Sequence, residues 1–220
     1  MAVSCRQILG LVSAIIGVLG TIVICFLPLW KVSDFISADI ATTYVIFEGL
    51  WVNCILLTKH EMECKEYDST LTLPQDLQDA RVLIVFAIII QFFGIVLGVV
   101  GAKCTNFIPD ARRKTKADIA SGVLFLIAAS LVALPVHWTT RTIVNDMFNP
   151  DLASDQRRDL GASLFIGLVS AGLLYLGGAL LCCSYFCRIE TECDVKSAHT
   201  NTKQQRSSRQ RSTRNKKKVS

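Results

Sequence analysis

Two cysteines on either side of a polar turn are the residues whose types and spacing most suggest chemistry. Cys54 and Cys64 are ten residues apart, and His60 lies in the turn between them. Such a group suits a metal centre, a redox-active dithiol or a structural disulfide. A structural zinc ion needs four ligands and this group offers three, while a redox-active pair usually has the C-x-x-C spacing that is absent here. The choice depends on the compartment that holds the segment.

Four long uncharged runs indicate what kind of protein carries the two cysteines. The chain has 220 residues, 51% of them hydrophobic, and a mean hydropathy of +0.44, which is too apolar for an ordinary soluble domain. A helix needs about 20 apolar residues to cross a bilayer. The runs predict an all-α membrane bundle of four helices, over residues 8–27, 82–102, 119–136 and 160–183.

The distribution of Lys and Arg predicts how the bundle is oriented. With four spans, the termini 1–7 and 184–220 share one side with the loop 103–118, and this side carries sixteen basic residues. The loops 28–81 and 137–159 carry seven. Basic residues accumulate on the cytosolic side of membrane proteins. We therefore predict cytosolic termini and two extracellular loops in a plasma-membrane protein.

This orientation leaves Cys54 and Cys64 as the extracellular cysteines. A pair in an oxidising compartment forms a disulfide, and closing so short a loop would stabilise the protein by roughly 3 kcal/mol. We predict this bond and no bound metal. The chain also has no nucleotide-binding loop, no H-E-x-x-H and no G-x-S-x-G sequence. We therefore expect neither an enzyme, nor a cofactor, nor a nucleic-acid partner.

The first extracellular loop is predicted to form a small antiparallel sheet. Residues 40–46 and 51–55 are rich in β-branched and aromatic side chains, and the turn 58–61 returns the chain through Met62 to Cys64. The disulfide would then join two central strands of the sheet. Pro74 suits the entry to the second helix.

Within the spans, small residues and one amide predict how the helices meet. Small side chains at four-residue spacing let helices approach closely in lipid, and they occur as Ser13 with Gly17, Gly94 with Gly98, and Gly167 with Ala171. Gln91 is predicted to form an interhelical hydrogen bond. No Asp, Glu, Lys, Arg or His lies inside a span, so an ion path through the bilayer lacks its usual residues.

Seven residues of the first loop and its end resemble the W–GLW–C–C signature of the claudins, the tetraspan proteins of tight junctions, followed by the arginine that claudins keep at the end of this loop. They are Trp30, Gly49, Leu50, Trp51, Cys54, Cys64 and Arg81. The resemblance extends from residue 5 to about 187. It implies a five-stranded extracellular sheet whose fifth strand comes from the second loop. It also implies polymerisation into strands that seal the space between cells, with claudins as partners in cis and in trans.

The resemblance also implies roles for individual residues. Lys65 follows the second signature cysteine, a position that faces the paracellular path in claudins. With Lys31 and Arg158 it resembles the basic residues of barrier-forming or anion-favouring members, which indicates a barrier that holds back cations, although Glu63 would lie on the same strand face as Lys65. Intercellular contact would involve Phe148, Asn149 and Pro150.

Several features are predicted on the cytosolic side. Cys104, Cys182 and Cys183 follow the second and fourth spans, where palmitoylation occurs. The basic tail is predicted to be disordered and to bind anionic lipid. Lys217 and Lys218 resemble a dilysine signal for retrieval to the endoplasmic reticulum. Most claudins end in Tyr-Val, and the terminal Ser220 argues against binding to a PDZ scaffold.

A second hypothesis shares much of this pattern. Calcium-channel gamma subunits and peripheral myelin proteins carry parts of the same signature. The alternative function is therefore an auxiliary tetraspan subunit that modulates an ion channel or receptor within one membrane.

Overall fold

The four helices follow each other in the order that the hydropathy pattern predicts. The computed structural model describes residues 2–37, 42–57, 62–67, 75–101, 111–148 and 158–183. Four helices are long and apolar enough to cross a membrane, which confirms the predicted bundle. The elements are α1 (Ala2–Phe26), β1 (Lys31–Ser37), β2 (Thr42–Glu48), β3 (Val52–Leu57), β4 (Met62–Glu66), α2 (Gln75–Gly101), α3 (Ala111–Phe148), β5 (Arg158–Leu160) and α4 (Ala162–Cys183).

The five strands form one antiparallel sheet in the order β4-β3-β2-β1-β5. The fifth strand comes from the second loop, as the resemblance implied. We call the end of the bundle that carries this sheet the outer end. The prediction that the disulfide joins two central strands is wrong, because Cys64 lies in the edge strand β4. Composition alone also did not indicate β1, whose sequence KVSDFIS is mostly polar.

Three helices extend beyond their apolar runs, and the first of them, α1, already begins at Ala2. α2 begins at Gln75, directly after Pro74, and α3 continues the predicted span 119–136 at both ends. Residues 111–118 and 137–148 are therefore helical where loops were predicted. Hydropathy locates the part of a helix that suits lipid, whereas Arg, Lys and Ala also favour a helix in water.

Small side chains bring the helices together. The hydroxyl of Ser121 on α3 donates to the carbonyl of Gly94 on α2 over 2.7 Å, and Ser13 on α1 donates to Leu173 on α4 over 3.0 Å. The predicted interhelical bond of Gln91 is confirmed, since its amide donates to the Thr21 hydroxyl over 3.2 Å. These contacts give the sheet a rigid base.

Candidate functional site: the platform and sheet at the outer end

Trp30 joins the sheet to the end of α1. Its side chain is fully buried, and its indole nitrogen donates to the Ile24 carbonyl over 2.8 Å. The last four carbonyls of a helix have no partner within it, so Trp30 satisfies one of those that α1 leaves open. Its backbone nitrogen also donates to the Glu48 carbonyl over 2.9 Å, at the end of β2. One residue thus connects α1, the start of β1 and β2.

Arg81 fixes the Leu50-Trp51 segment against α2. Its guanidinium donates to the Leu50 carbonyl through Nε over 2.8 Å and through a terminal nitrogen over 2.5 Å. The same group lies 4.6 Å from the centroid of the Trp51 ring. Leu50 is buried, and the Trp51 indole reaches back to the Cys25 sulfur at 3.5 Å. We call the five residues brought together here the platform: Trp30, Gly49, Leu50, Trp51 and Arg81.

Gly49 is the position of the platform where a side chain has no room. A Cβ there would lie 2.5 Å from the Pro28 Cα, which is a backbone atom and cannot rotate away. The Gly49 nitrogen donates to the Val52 carbonyl over 3.0 Å and closes the turn into β3. Its carbonyl accepts a long hydrogen bond from the Tyr67 hydroxyl, at 3.4 Å.

Tyr67 is half-buried at this junction, and its hydroxyl is partly shielded from water. Burial raises the pKa of its hydroxyl to about 12, and the nearby Glu48 carboxylate acts in the same direction, against a smaller opposing effect of Arg81. Desolvation and a like charge both disfavour the phenolate. Tyr67 therefore stays protonated and able to donate throughout the physiological range.

The predicted disulfide is present between β3 and β4. Cys54 and Cys64 are directly paired across the two strands, with their Cα atoms 4.0 Å apart. Cys54 is fully buried, while Cys64 is exposed on the edge strand. The two sulfurs are bonded to each other, as a structural disulfide requires. The bond holds the edge strand, including Lys65, against the sheet.

Lys31 does not have the environment expected of a residue that faces an ion path. Its side chain is only 1% exposed, and its ammonium lies 3.9 Å from the Asp76 carboxylate in the first turn of α2. A buried charge interacts with its partners more than with distant ions. This burial gives Lys31 a place in the junction between sheet and helices, and its part in charge selectivity stays a prediction.

Lys65 and Arg158, the other two predicted basic residues, lie at opposite edges of the sheet. Lys65 is exposed in β4 and is paired with Asn53, whereas Arg158 begins β5 and is paired with Ser33. Four strand spacings separate the two edge strands, roughly 19 Å. One chain therefore does not bring these two positions together. The register also places Glu63 on the Lys65 face of β4.

The remaining predicted residues lie at the ends of helices. Phe148 is the last residue of α3 and is 83% exposed, while Asn149 and Pro150 fall outside the described residues. Cys182 and Cys183 end α4, with Cys183 the more exposed of the two. Cys104 and the tail with Lys217, Lys218 and Ser220 also fall outside the described residues.

Two residues of the junction, Asp76 and Tyr67, were not recognised as functional from the sequence. Asp76 has the type and position of an ordinary acidic residue in the first helical turn, which gives no sign of a partner 45 positions earlier. Tyr67 lies between charged residues just after β4, a setting typical of an exposed loop. Their contacts join segments far apart in the chain, so no local pattern indicates them.

Comparison with known proteins bears on this arrangement of sheet, platform and bundle. The family model described as PMP-22/EMP/MP20/Claudin matches residues 4–181. The chain belongs to this family. It is 52% identical over 176 residues to claudin-4 of Bos taurus, covering 80% of this chain and 84% of that protein. It is 51% identical over 178 residues to claudin-3 of Homo sapiens, covering 81% of each.

A further relative extends the likeness to fish. The claudin-like protein ZF-A89 of Danio rerio is 52% identical over 177 residues, which cover 80% of this chain and 85% of that protein. The matched span of this claudin-family chain contains all four helices, the sheet and the platform. Family membership points to a multi-pass membrane protein with a structural role.

Proposed function

We propose that this chain is a tight-junction protein that polymerises with itself and with other claudins, in cis and in trans, and seals the space between neighbouring cells. The observation that carries the proposal is the five-stranded sheet held on the bundle by the platform, in a chain about half identical to claudin-3 and claudin-4. A sheet fixed at both α1 and α2 can transmit contacts between copies without tilting. The termini are cytosolic in this proposal, and the sheet is extracellular.

The proposal also covers which ions the seal holds back. Lys65 is exposed on the edge strand that the disulfide holds in place. A fixed positive charge beside a narrow path repels cations over roughly one Debye length, about 8 Å at physiological salt. We assign the barrier against cations to Lys65, with Glu63 on the same face reducing its field. Arg158 acts from the other edge of the sheet, and Lys31 contributes less because it is buried.

Freeze-fracture imaging tests the junctional role. The protein is expressed in cells that lack junctional strands, and we expect strand networks where two expressing cells meet. A plasma-membrane protein without strands that co-purifies with a channel or receptor would contradict the proposal and support an auxiliary subunit. Staining of a terminal tag with and without permeabilisation checks the orientation, since cytosolic termini require permeabilisation.

Dilution potentials across epithelial monolayers test the selectivity. We expect the native protein to lower the permeability of sodium relative to chloride, and Lys65→Asp to reverse the change. Lys116→Asp is the matched control, because Lys116 is exposed near the start of α3, at the end of the bundle away from the sheet. If Lys65→Asp and Lys116→Asp behave alike, Lys65 has no part in selectivity.

On the cytosolic side we propose palmitoylation of Cys182, Cys183 and Cys104, and retrieval to the endoplasmic reticulum through Lys217 and Lys218. Acyl-exchange labelling that leaves all three cysteines unlabelled would exclude the first. Equal surface abundance of the native protein and of a variant with both lysines changed to serine would exclude the second.

A further inference from the structure

A shallow groove runs along one face of α3 where the helix leaves the bilayer. Its volume is about 390 Å³, and six residues of this single helix line it: Leu134, His137, Trp138, Arg141, Thr142 and Asn145. Their spacing of three and four residues places them on one side of the helix. The groove is distinct from the platform and the sheet edge, and the proposed function does not use it.

The groove crosses the boundary between hydrocarbon and headgroups. Leu134 lies inside the apolar run that ends at Val136, and Arg141 follows five residues later. At 1.5 Å per residue, Arg141 stands about 7.5 Å beyond the end of the run. The headgroup layer of one leaflet is roughly 5 to 7.5 Å thick, half of the difference between the whole bilayer and its hydrocarbon core. Helical side chains lean toward the N-terminus of their helix, which for Arg141 is toward the bilayer, so its guanidinium reaches the depth of the lipid phosphates.

The side chains of the groove change from apolar to basic along the same direction. Leu134 and Trp138 are 56% and 58% exposed, so the lower part offers a large apolar surface. Trp is typical of the membrane interface, where one end of its ring system is apolar and the other is wet. His137 lies beside Trp138, Arg141 adds a basic group above them, and Asn145 lies one turn beyond Arg141.

Hydrogen-bond donors of the groove are available for a ligand. Arg141 is exposed, and no ion pair joins it to another side chain in the described part of the chain. Thr142 is different, since its hydroxyl already donates to the Trp138 carbonyl over 3.2 Å. Arg141 and Asn145, one helical turn apart, are thus the groups that can meet an acceptor. Arg is well suited to phosphate because its planar group donates two parallel hydrogen bonds.

We propose that this groove binds one phospholipid of the leaflet on the sheet side. Arg141 holds the phosphate, Asn145 donates to the headgroup oxygens, and Trp138 with Leu134 packs against the glycerol region and the upper acyl chain. The occupant is a phospholipid because the groove is apolar within the hydrocarbon and basic at phosphate depth, which complements the apolar acyl chains and the anionic phosphate of such a lipid. Zwitterionic and anionic phospholipids share the phosphate, so the site accepts both.

Native mass spectrometry of the detergent-purified protein tests the proposal. The probes are dioleoylphosphatidylcholine and dioleoylglycerol, which share their acyl chains and differ in the phosphate and headgroup. We expect the native protein to retain one phosphatidylcholine with at least tenfold higher affinity than diacylglycerol. Arg141→Gln should lower phosphatidylcholine affinity at least fivefold and leave diacylglycerol binding unchanged. Arg141→Lys, which keeps the charge, should recover part of the loss.

Lys116→Gln is the matched control, because Lys116 is an exposed basic residue at the other end of the same helix. Equal affinity of the native protein for the two lipids would overturn the proposal without any variant. So would a phosphatidylcholine affinity that Arg141→Gln leaves unchanged, or that Lys116→Gln lowers as much. Efficient disulfide cross-linking of Asn145→Cys between two copies in vesicles would mean that a second copy covers the groove, and would also overturn it.

Discussion

The guanidinium of Arg81 lies 4.6 Å from the centroid of the Trp51 ring and at the same time donates twice to the carbonyl of the preceding residue, Leu50. A charge-assisted hydrogen bond contributes about 1.5 to 3 kcal/mol, and a cation–π contact at a partly exposed site about 0.5 to 1 kcal/mol. The last residue of the predicted first loop is thereby tied to the turn that begins β3. Hydrogen bonds from a side chain to a backbone carbonyl thus join the sheet to the bundle, in addition to apolar packing.

Substitution of Arg81 should loosen this joint. We expect Arg81→Gln to destabilise the purified protein by about 2 kcal/mol, because the shorter amide loses both the paired donors and the ring contact. Thermal unfolding in detergent, followed by tryptophan fluorescence, measures the effect. Lys116→Gln removes an exposed charge from α3 and should leave the midpoint unchanged. Equal midpoints for Arg81→Gln and the native protein would show that the contacts do not stabilise the joint.

A methyl group at Gly49 should also destabilise the platform. Gly49→Ala places its Cβ 2.5 Å from the Pro28 Cα, and the backbone shift that relieves this contact costs about 1 to 3 kcal/mol. Gly172→Ala is the matched control, since a Cβ there meets nothing within 4 Å. In the middle of α4 that change should be neutral or stabilising. The comparison fails if both variants unfold at the same temperature.

Removal of the Asp76 carboxylate should destabilise the protein more than removal of the Lys31 ammonium. Asp76→Asn leaves the 1% exposed Lys31 without the carboxylate 3.9 Å away, whereas Lys31→Met leaves an Asp76 that is one-third exposed and can be hydrated. We expect a loss of about 1 to 3 kcal/mol for Asp76→Asn, which is less than for a fully buried pair because water screens Asp76. Thermal unfolding of both variants shows which substitution lowers the unfolding midpoint more. The reverse order would mean that other partners of Lys31 outweigh Asp76.

The Tyr67 hydroxyl should ionise at a higher pH than that of a tyrosine in water. Its pKa of about 12 in the folded protein lies above the ordinary 10, so the protonated form is favoured by folding. The stability that this protonation contributes is complete below pH 10 and is lost as the pH rises through 12. The difference in phenolate absorbance between the native protein and Tyr67→Phe should have its midpoint near pH 12 in the folded state. A midpoint near 10 would mean that the hydroxyl is hydrated.

The four spans, the cysteine pair and the antiparallel pairing of β3 with β4 could be predicted from the sequence, because each rests on a local pattern. Twenty uncharged apolar residues suit a bilayer whatever surrounds them. The claudin resemblance added the fifth strand, which three residues, Arg158 to Leu160, could not have indicated by their composition. The extended ends of α3 were missed, since hydropathy reports where a helix meets lipid and not where its hydrogen bonds end.

Only the tertiary structure decided which charges are buried. Lys31, Lys65 and Arg158 are all basic residues of the predicted extracellular loops, yet the Lys31 side chain is buried beside Asp76, and Lys65 and Arg158 occupy opposite edges of the sheet. The place of Arg141 on a helix likewise became known only from the continuation of α3 beyond its apolar run. Burial and neighbourhood depend on residues that are distant in the chain, so their energies enter only when the sheet docks on the helices. A residue type determines which interactions are available, and the packing determines which of them form.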